Sequence, residues 1–187
     1  NPLTIRVLLL HENIMKIAFL RKHDQLLIDW VPVAVAEAGF EFVDCQPKTP
    51  QEVVDVAADA DIVWDMGGVP MITAEIMPQL KRCGAIIRAG SGTDNIPVAV
   101  ATEMGIIVAN TPAGPALGVS EHTIGLILAM TRQIGRSDRE VRAGGWDVGV
   151  PMPTLVHGST IGLVGFGHIP RGVAARLQPF GAEVLAY

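Results

Sequence analysis

Cysteine is nearly absent from this chain: Cys45 and Cys83 are the only two in 187 residues, and they form no C-x-x-C pair. That excludes a disulfide scaffold and a paired-cysteine zinc site, and leaves two reduced thiols in a cytoplasmic protein as the simplest reading. Basic residues are also short, with 14 Lys and Arg against 19 Asp and Glu for a net charge of −5. No electrostatic reason remains to expect nucleic acid or an anionic membrane as a partner. Long apolar runs are missing too. Val7–Leu10 gives way at once to His11, Glu12 and Asn13, too soon for a signal-peptide core. The run from Ile124 to Met130 is far short of the roughly 20 residues a membrane span requires. No internal repeat or low-complexity tract is present, and no cluster of residues suggests a metal site.

What the chain does have is aliphatic content, with 49% hydrophobic residues and only 5% aromatic. Short aliphatic runs alternate with helix-like segments, the pattern of βαβ units around a parallel sheet. Strands are expected at Ile5–Leu10, Phe40–Asp44, Asp61–Trp64, Ala85–Arg88 and Ile106–Ala109. Between them lie helices at Leu26–Ala38, after Thr49, from Thr73 to Leu80, and around Val98–Met104. Thr49-Pro50-Gln51-Glu52 is a strong helix start: a capping hydroxyl, proline at the first helical position and a glutamate three residues on. The segment from Asn110 to Gly118 is rich in proline, glycine and small residues and reads as a domain boundary, dividing 1–118 from 119–187. One long helix is expected from Ser120 to about Arg142, with Arg132, Arg136 and Arg139 on a solvated face. A strand at Thr160–Val164, a turn and helix from Gly165 to Gly181, and a strand at Glu183–Tyr187 complete the pattern.

The turn after residue 164 carries the most chemistry. Gly165 and Gly167 occupy the first two positions of the dinucleotide fingerprint G-x-G-x-x-G. The first allows a tight strand-to-helix turn, and the second lets backbone approach a pyrophosphate. Free amides at the helix start then face the phosphates, where the helix dipole also favours negative charge. The third position is Pro170. A pyrrolidine ring is bulkier than the glycine that normally lets helix and strand pack closely, and it biases Ile169 away from helical angles. A shifted helix start and weaker dinucleotide binding are therefore expected. The acid that would read the ribose should end the second strand, and none stands there before Tyr187.

Three further runs, Arg88-Ala-Gly-Ser-Gly-Thr-Asp-Asn-Ile, Val108-Ala-Asn-Thr-Pro and Val119-Ser-Glu-His-Thr-Ile-Gly-Leu-Ile-Leu-Ala-Met-Thr-Arg, join Ile161-Gly-Leu-Val-Gly-Phe-Gly-His-Ile in one order. Together they resemble the D-isomer-specific 2-hydroxyacid dehydrogenases, the phosphoglycerate dehydrogenase-like group, from about residue 60 onward. The resemblance implies an α/β fold: a flavodoxin-like parallel-sheet substrate domain, then the first strand–helix–strand of a Rossmann domain. It implies hydride transfer between NAD(H), with NADP left open, and a small 2-hydroxy or 2-keto acid in a cytoplasmic homodimer formed through the nucleotide domain. Met66, Gly67 and Gly68 match the loop whose amides receive the substrate carboxylate. Ser91 matches the small residue at the nicotinamide end, and Gly165, Gly167, His168 and Ile169 match the pyrophosphate turn.

The family's acid–base trio of Arg, Glu and His has no match in this sequence and is expected beyond Tyr187. His122 beside Glu121 matches a helix-start histidine of the family, and adjacent helical residues do not face each other. A lone strand–helix–strand would leave its apolar first strand as a bare edge, so the natural protein is expected to continue and this chain to be inactive by itself. A second reading stays open: an NAD(H)-sensing regulator of the same fold, like the C-terminal-binding corepressors, acting by protein contacts.

Overall fold

The computed structural model describes residues 14–21, 28–67, 71–146 and 152–187. The chain divides into two compact units, Asn1–Thr111 and Pro112–Tyr187, a division ahead of the one expected after Gly118.

In the first unit five parallel strands form one sheet: β1 (Lys16–Leu20), β2 (Glu41–Cys45), β3 (Ile62–Asp65), β4 (Ala85–Arg88) and β5 (Ile107–Asn110). Their spatial order is β2-β1-β3-β4-β5, the flavodoxin-like arrangement. Register aligns the carboxyl ends: Leu20 lies opposite Cys45 and Asp65, Asp65 opposite Arg88, and Arg88 opposite Asn110. The order reverses between β1 and β3, and the crevice outside the strand ends at such a point is where ligands bind in open parallel sheets.

Successive side chains of a strand point to opposite faces, so a central strand needs apolar residues at every position. Ile17 packs with Val31 and Val35 of α1 (Trp30–Glu37), beside Phe42, Ile62 and Trp64. Ala18, Leu20, Val63 and Ile86 pack on the other face with Val53, Val54 and Ala57 of α2 (Pro50–Ala57) and Ala101 of α3 (Val98–Glu103). The start of α2 follows its sequence signal. Thr49 Oγ1 accepts from Glu52 N–H at 3.3 Å with Pro50 in the first turn, while the Glu52 carboxylate takes the Lys48 amide at 2.9 Å.

The strand expected at Ile5–Leu10 lies outside the described residues, and Lys16–Leu20 is a strand that the sequence reading did not single out. The helix expected from Thr73 to Leu80 is reduced to one turn, closed by Met77 N–H to Thr73 O at 3.2 Å, and a 3-10 turn at Met77–Gln79. Pro78 has no N–H to continue the ladder, and its ring would crowd the carbonyl four residues back.

The second unit holds α4 (Ala113–Thr131), α5 (Ile134–Arg142), β6 (Thr160–Leu163), α6 (His168–Leu177) and β7 (Glu183–Ala186). Strands β6 and β7 pair in parallel, and α4 packs along α6. The proline- and glycine-rich segment before Gly118 is helix, because Pro115 falls in the first turn, where amides have no intrahelical partner to lose. The helix is not continuous to Arg142. Gln133 takes a left-handed conformation (φ 56°) and its Nε2 donates to Met130 O at 3.0 Å, ending α4. Val156, Val173 and Leu177 form the buried core, flanked by Ile124, Ile127 and Leu128 of α4. Among the described residues no helix is long and apolar enough to cross a membrane.

Candidate functional site

The loop leaving β3 at the reversal point is where Met66 and Gly67 lie; Gly68 is outside the described residues. The sequence suggested a row of amides open to a carboxylate. Both described amides are already engaged: Met66 N–H donates to Leu20 O at 2.9 Å, and Gly67 N–H to Asp65 Oδ1 at 2.9 Å. Glycine at 67 serves a different need. Its φ is +78°, and a Cβ there would collide with the guanidinium of Arg88. Gly90, at φ +127°, meets the same guanidinium from another side. Two glycines thus make room for one arginine.

Arg88 is the site residue that sequence reasoning passed over. It ends β4 at the carboxyl edge of the sheet, and its Nε is buried with no hydrogen-bond partner among the described residues. Asp65, itself buried, is the nearest acid, with Oδ2 at 3.9 Å from Nε, beyond hydrogen-bonding length. Asp65 Oδ2 instead accepts from Asn95 Nδ2 at 2.7 Å. A guanidinium is always charged and presents a planar fork of donors, the geometry that matches a carboxylate with two parallel bonds. Arg88 therefore brings to this edge a donor group of the kind that binds anions. Its signal in the sequence was an arginine closing an aliphatic strand just ahead of a G-x-G.

Ser91 is exposed on the adjoining turn. Its carbonyl accepts from Asn110 Nδ2 at 2.6 Å, and Gly90 is tied to Thr111 through both its N–H and its C=O. These bonds hold the turn after β4 to the end of β5.

In the second unit, Gly165 has φ +87° and lies between the strand ends, its N–H donating to Tyr187 O at 2.7 Å. Gly167 caps α6, and His168, Ile169 and Pro170 make its first turn. The expected distortion at Pro170 does not occur: Arg171 N–H reaches Gly167 O at 3.2 Å, the first helical bond. Proline at the third helical position lacks only an amide that would be unpaired anyway. A Cβ on Gly165 or Gly167 would meet nothing within 4 Å, so both backbones face open space. That openness, with the His168 and Ile169 amides at a helix start, fits a dinucleotide pyrophosphate. Arg171 stacks on Phe166 at 5.7 Å and donates to its carbonyl at 2.9 Å, firming the same turn.

His122 is exposed, and Glu121 turns away from it to meet Arg176 at 3.2 Å. No group of three or more His, Cys, Asp or Glu among the described residues could hold a metal ion.

A flavodoxin-like sheet in one unit, and in the other a strand, a dinucleotide-type glycine turn, a helix and a parallel strand, make this a two-unit α/β protein. The chain belongs to the D-isomer specific 2-hydroxyacid dehydrogenases, whose catalytic-domain model matches residues 15–181. It is 32% identical over 151 residues to D-3-phosphoglycerate dehydrogenase of Rattus norvegicus, covering 81% of this chain and 28% of that enzyme. Against the enzyme of the same name from Mycobacterium leprae it is 34% identical over 164 residues, covering 88% and 30%. Among solved structures, an acyclic imino acid reductase in complex with NADPH and D-Arg superposes with a TM-score of 0.80 at 27% identity, over 92% of this chain and 55% of that one. NAD+-bound 3-phosphoglycerate dehydrogenase from Entamoeba histolytica shares the fold, with a TM-score of 0.75 at 24% identity over 94% and 54% of the two chains. The chain thus spans less than a third of these curated relatives and about half of these solved ones.

Proposed function

We propose that this chain forms the carboxylate-holding and pyrophosphate-holding parts of an oxidoreductase that moves hydride between NAD(H) and a small 2-hydroxy or 2-keto acid. The observation that carries this reading is Arg88, a half-buried side chain whose Nε is buried and unpartnered, cradled by Gly67 and Gly90 at the carboxyl edge of the sheet. Gly67 then leaves room for Arg88, which binds the acid. Gly165, Gly167, His168 and Ile169 hold the pyrophosphate, and Ser91 contacts the nicotinamide end. The nicotinamide, when bound, gives or takes the hydride.

The protein expressed from its own gene tests the reading. NADH titration, followed by glyoxylate and pyruvate added to the binary complex, should show cofactor binding and then acid binding. Arg88→Met should weaken the acid by about tenfold or more, as loss of a paired charge does, and leave NADH affinity alone. No NADH binding, or acid binding indifferent to Arg88, rejects the proposal. A parallel NADPH titration decides which cofactor is preferred.

The same reading includes a homodimer through the second unit. Leu126, Met130, Ile134 and Val141 are exposed along α4 and α5, more apolar surface than a solvated helix pair needs. Light scattering at micromolar concentration should give twice the monomer mass.

A further inference from the structure

Resting on that cofactor reading, we infer that Ser120 and Gly172 are a positioning pair that sets the first turn of α6, and so the His168 and Ile169 amides, against α4. Ser120 is 1% exposed, and with Asp65 it makes up the buried polar residues among those described. Its hydroxyl lies 2.7 Å from Ala116 O and 3.1 Å from Ile169 O. One proton shared between these carbonyls ties α4 to the residue whose amide faces the pyrophosphate.

Gly172 is what allows the approach. A Cβ on it would collide with Ser120 Oγ and come within 3.0 Å of Ser120 Cβ. Glycine inside a helix is disfavoured relative to alanine, and Gly172 does not have the positive φ that would require it. The room it leaves for Ser120 is the remaining reason for its presence. One turn further on, Arg176 donates to Gly172 O at 3.0 Å and to Glu121 Oε1 of α4 at 3.2 Å, bracing the same seam.

Pro170 makes this contact consequential. The third fingerprint glycine ordinarily permits close packing of the nucleotide helix. Here that position carries a ring, and the close approach falls two residues later, directed at α4. The turn is therefore located by Ser120 through Ile169, and anything that pushes α6 off α4 moves the phosphate-facing amides.

The test is NADH affinity, read by fluorescence well below the melting temperature, with melting temperature recorded for every variant. Gly172→Ala should lower affinity about tenfold, the size expected when oriented phosphate contacts are misplaced. Ser120→Ala, which removes the bond to Ile169 O and adds no bulk, should lower affinity in the same direction. Leu177→Ala removes packing at the far end of α6 and should lower melting temperature with NADH affinity unchanged. Equal affinity in wild type and Gly172→Ala, unchanged affinity in Ser120→Ala, or an equal loss in Leu177→Ala each overturns the inference and leaves the cofactor reading standing. A wild-type protein that binds no NADH overturns both.

Discussion

The two units use the same strand–helix–strand grammar and arrive at different interiors. In the first, β1 and β3 lie between other strands, and an apolar cluster running from Ala18 to Ile106 fills one face while α1 covers part of the other. In the second, β6 has β7 on one side, and three side chains, Val156, Val173 and Leu177, are the buried apolar core among the described residues. Ile161, Leu163 and Val184 remain partly open. Apolar burial is the main favourable term in folding, so the units should differ in how readily they open. The arginine proposed to bind the acid lies in the unit expected to open later, and the turn proposed to hold the pyrophosphate in the other.

The largest effect that would sharpen this contrast comes from Ile86→Ala, which empties the centre of the first sheet at a fully buried position. It should cost about 2–5 kcal/mol. In urea, followed by Trp64 fluorescence in a Trp30→Phe/Trp146→Phe background, the loss should fall on the later of two transitions. A single transition detected alike by Trp64 and by amide exchange in α6 would erase the distinction between the units.

Leu177→Ala probes the other side. Leu177 is 1% exposed, but its neighbours are only partly buried and can close on the space left behind. The cost should be near the low end for such truncations, about 2 kcal/mol, and should appear as faster amide exchange in β6, α6 and β7 alone. Exchange that rises equally in β1 and β3 would show that the units open together.

Thr49→Ala is smaller again. It removes the hydroxyl that accepts the Glu52 amide, while the Glu52 carboxylate keeps its bond to Lys48 N–H. A lost cap of this kind costs about 1 kcal/mol, and here it should shift the later transition only. The cap also marks how much was legible beforehand. Thr49, Pro50 and Glu52 announce their helix because each acts on its nearest backbone. Gly165 and Gly167 announce theirs because the turn they permit is local. Arg88 did not stand out, since Gly67 and Asp65 reach it only once β3 and β4 are paired. Ser120 and Gly172 are likewise unremarkable until α4 meets α6. Misread segments have local causes as well. Pro115 looked like a breaker but falls in a first turn, and Pro78 sat inside an apolar pattern that it interrupts.

The last contrast needs no mutation. Both cysteines lie in the first unit, so thiol labelling follows the opening of that unit and is blind to the other. Burial pushes both thiols above their ordinary value of 9.0, and Glu52 and Asp44 add to the rise at Cys45. The thiolate is the reactive form, so native labelling at pH 8 should be slow, and slower at buried Cys83 than at half-buried Cys45. The sign of the linked stability follows. A thiol raised in the folded state keeps its contribution below the unfolded value and loses it as pH climbs through the folded one, because the unfolded chain gives up its proton first. The first unit should therefore weaken above about pH 9, its thiols labelling faster there than the thiolate fraction alone explains. Urea at pH 8 should bring on Cys83 labelling with the later transition; labelling complete within the earlier one would mean that the first unit is the softer of the two.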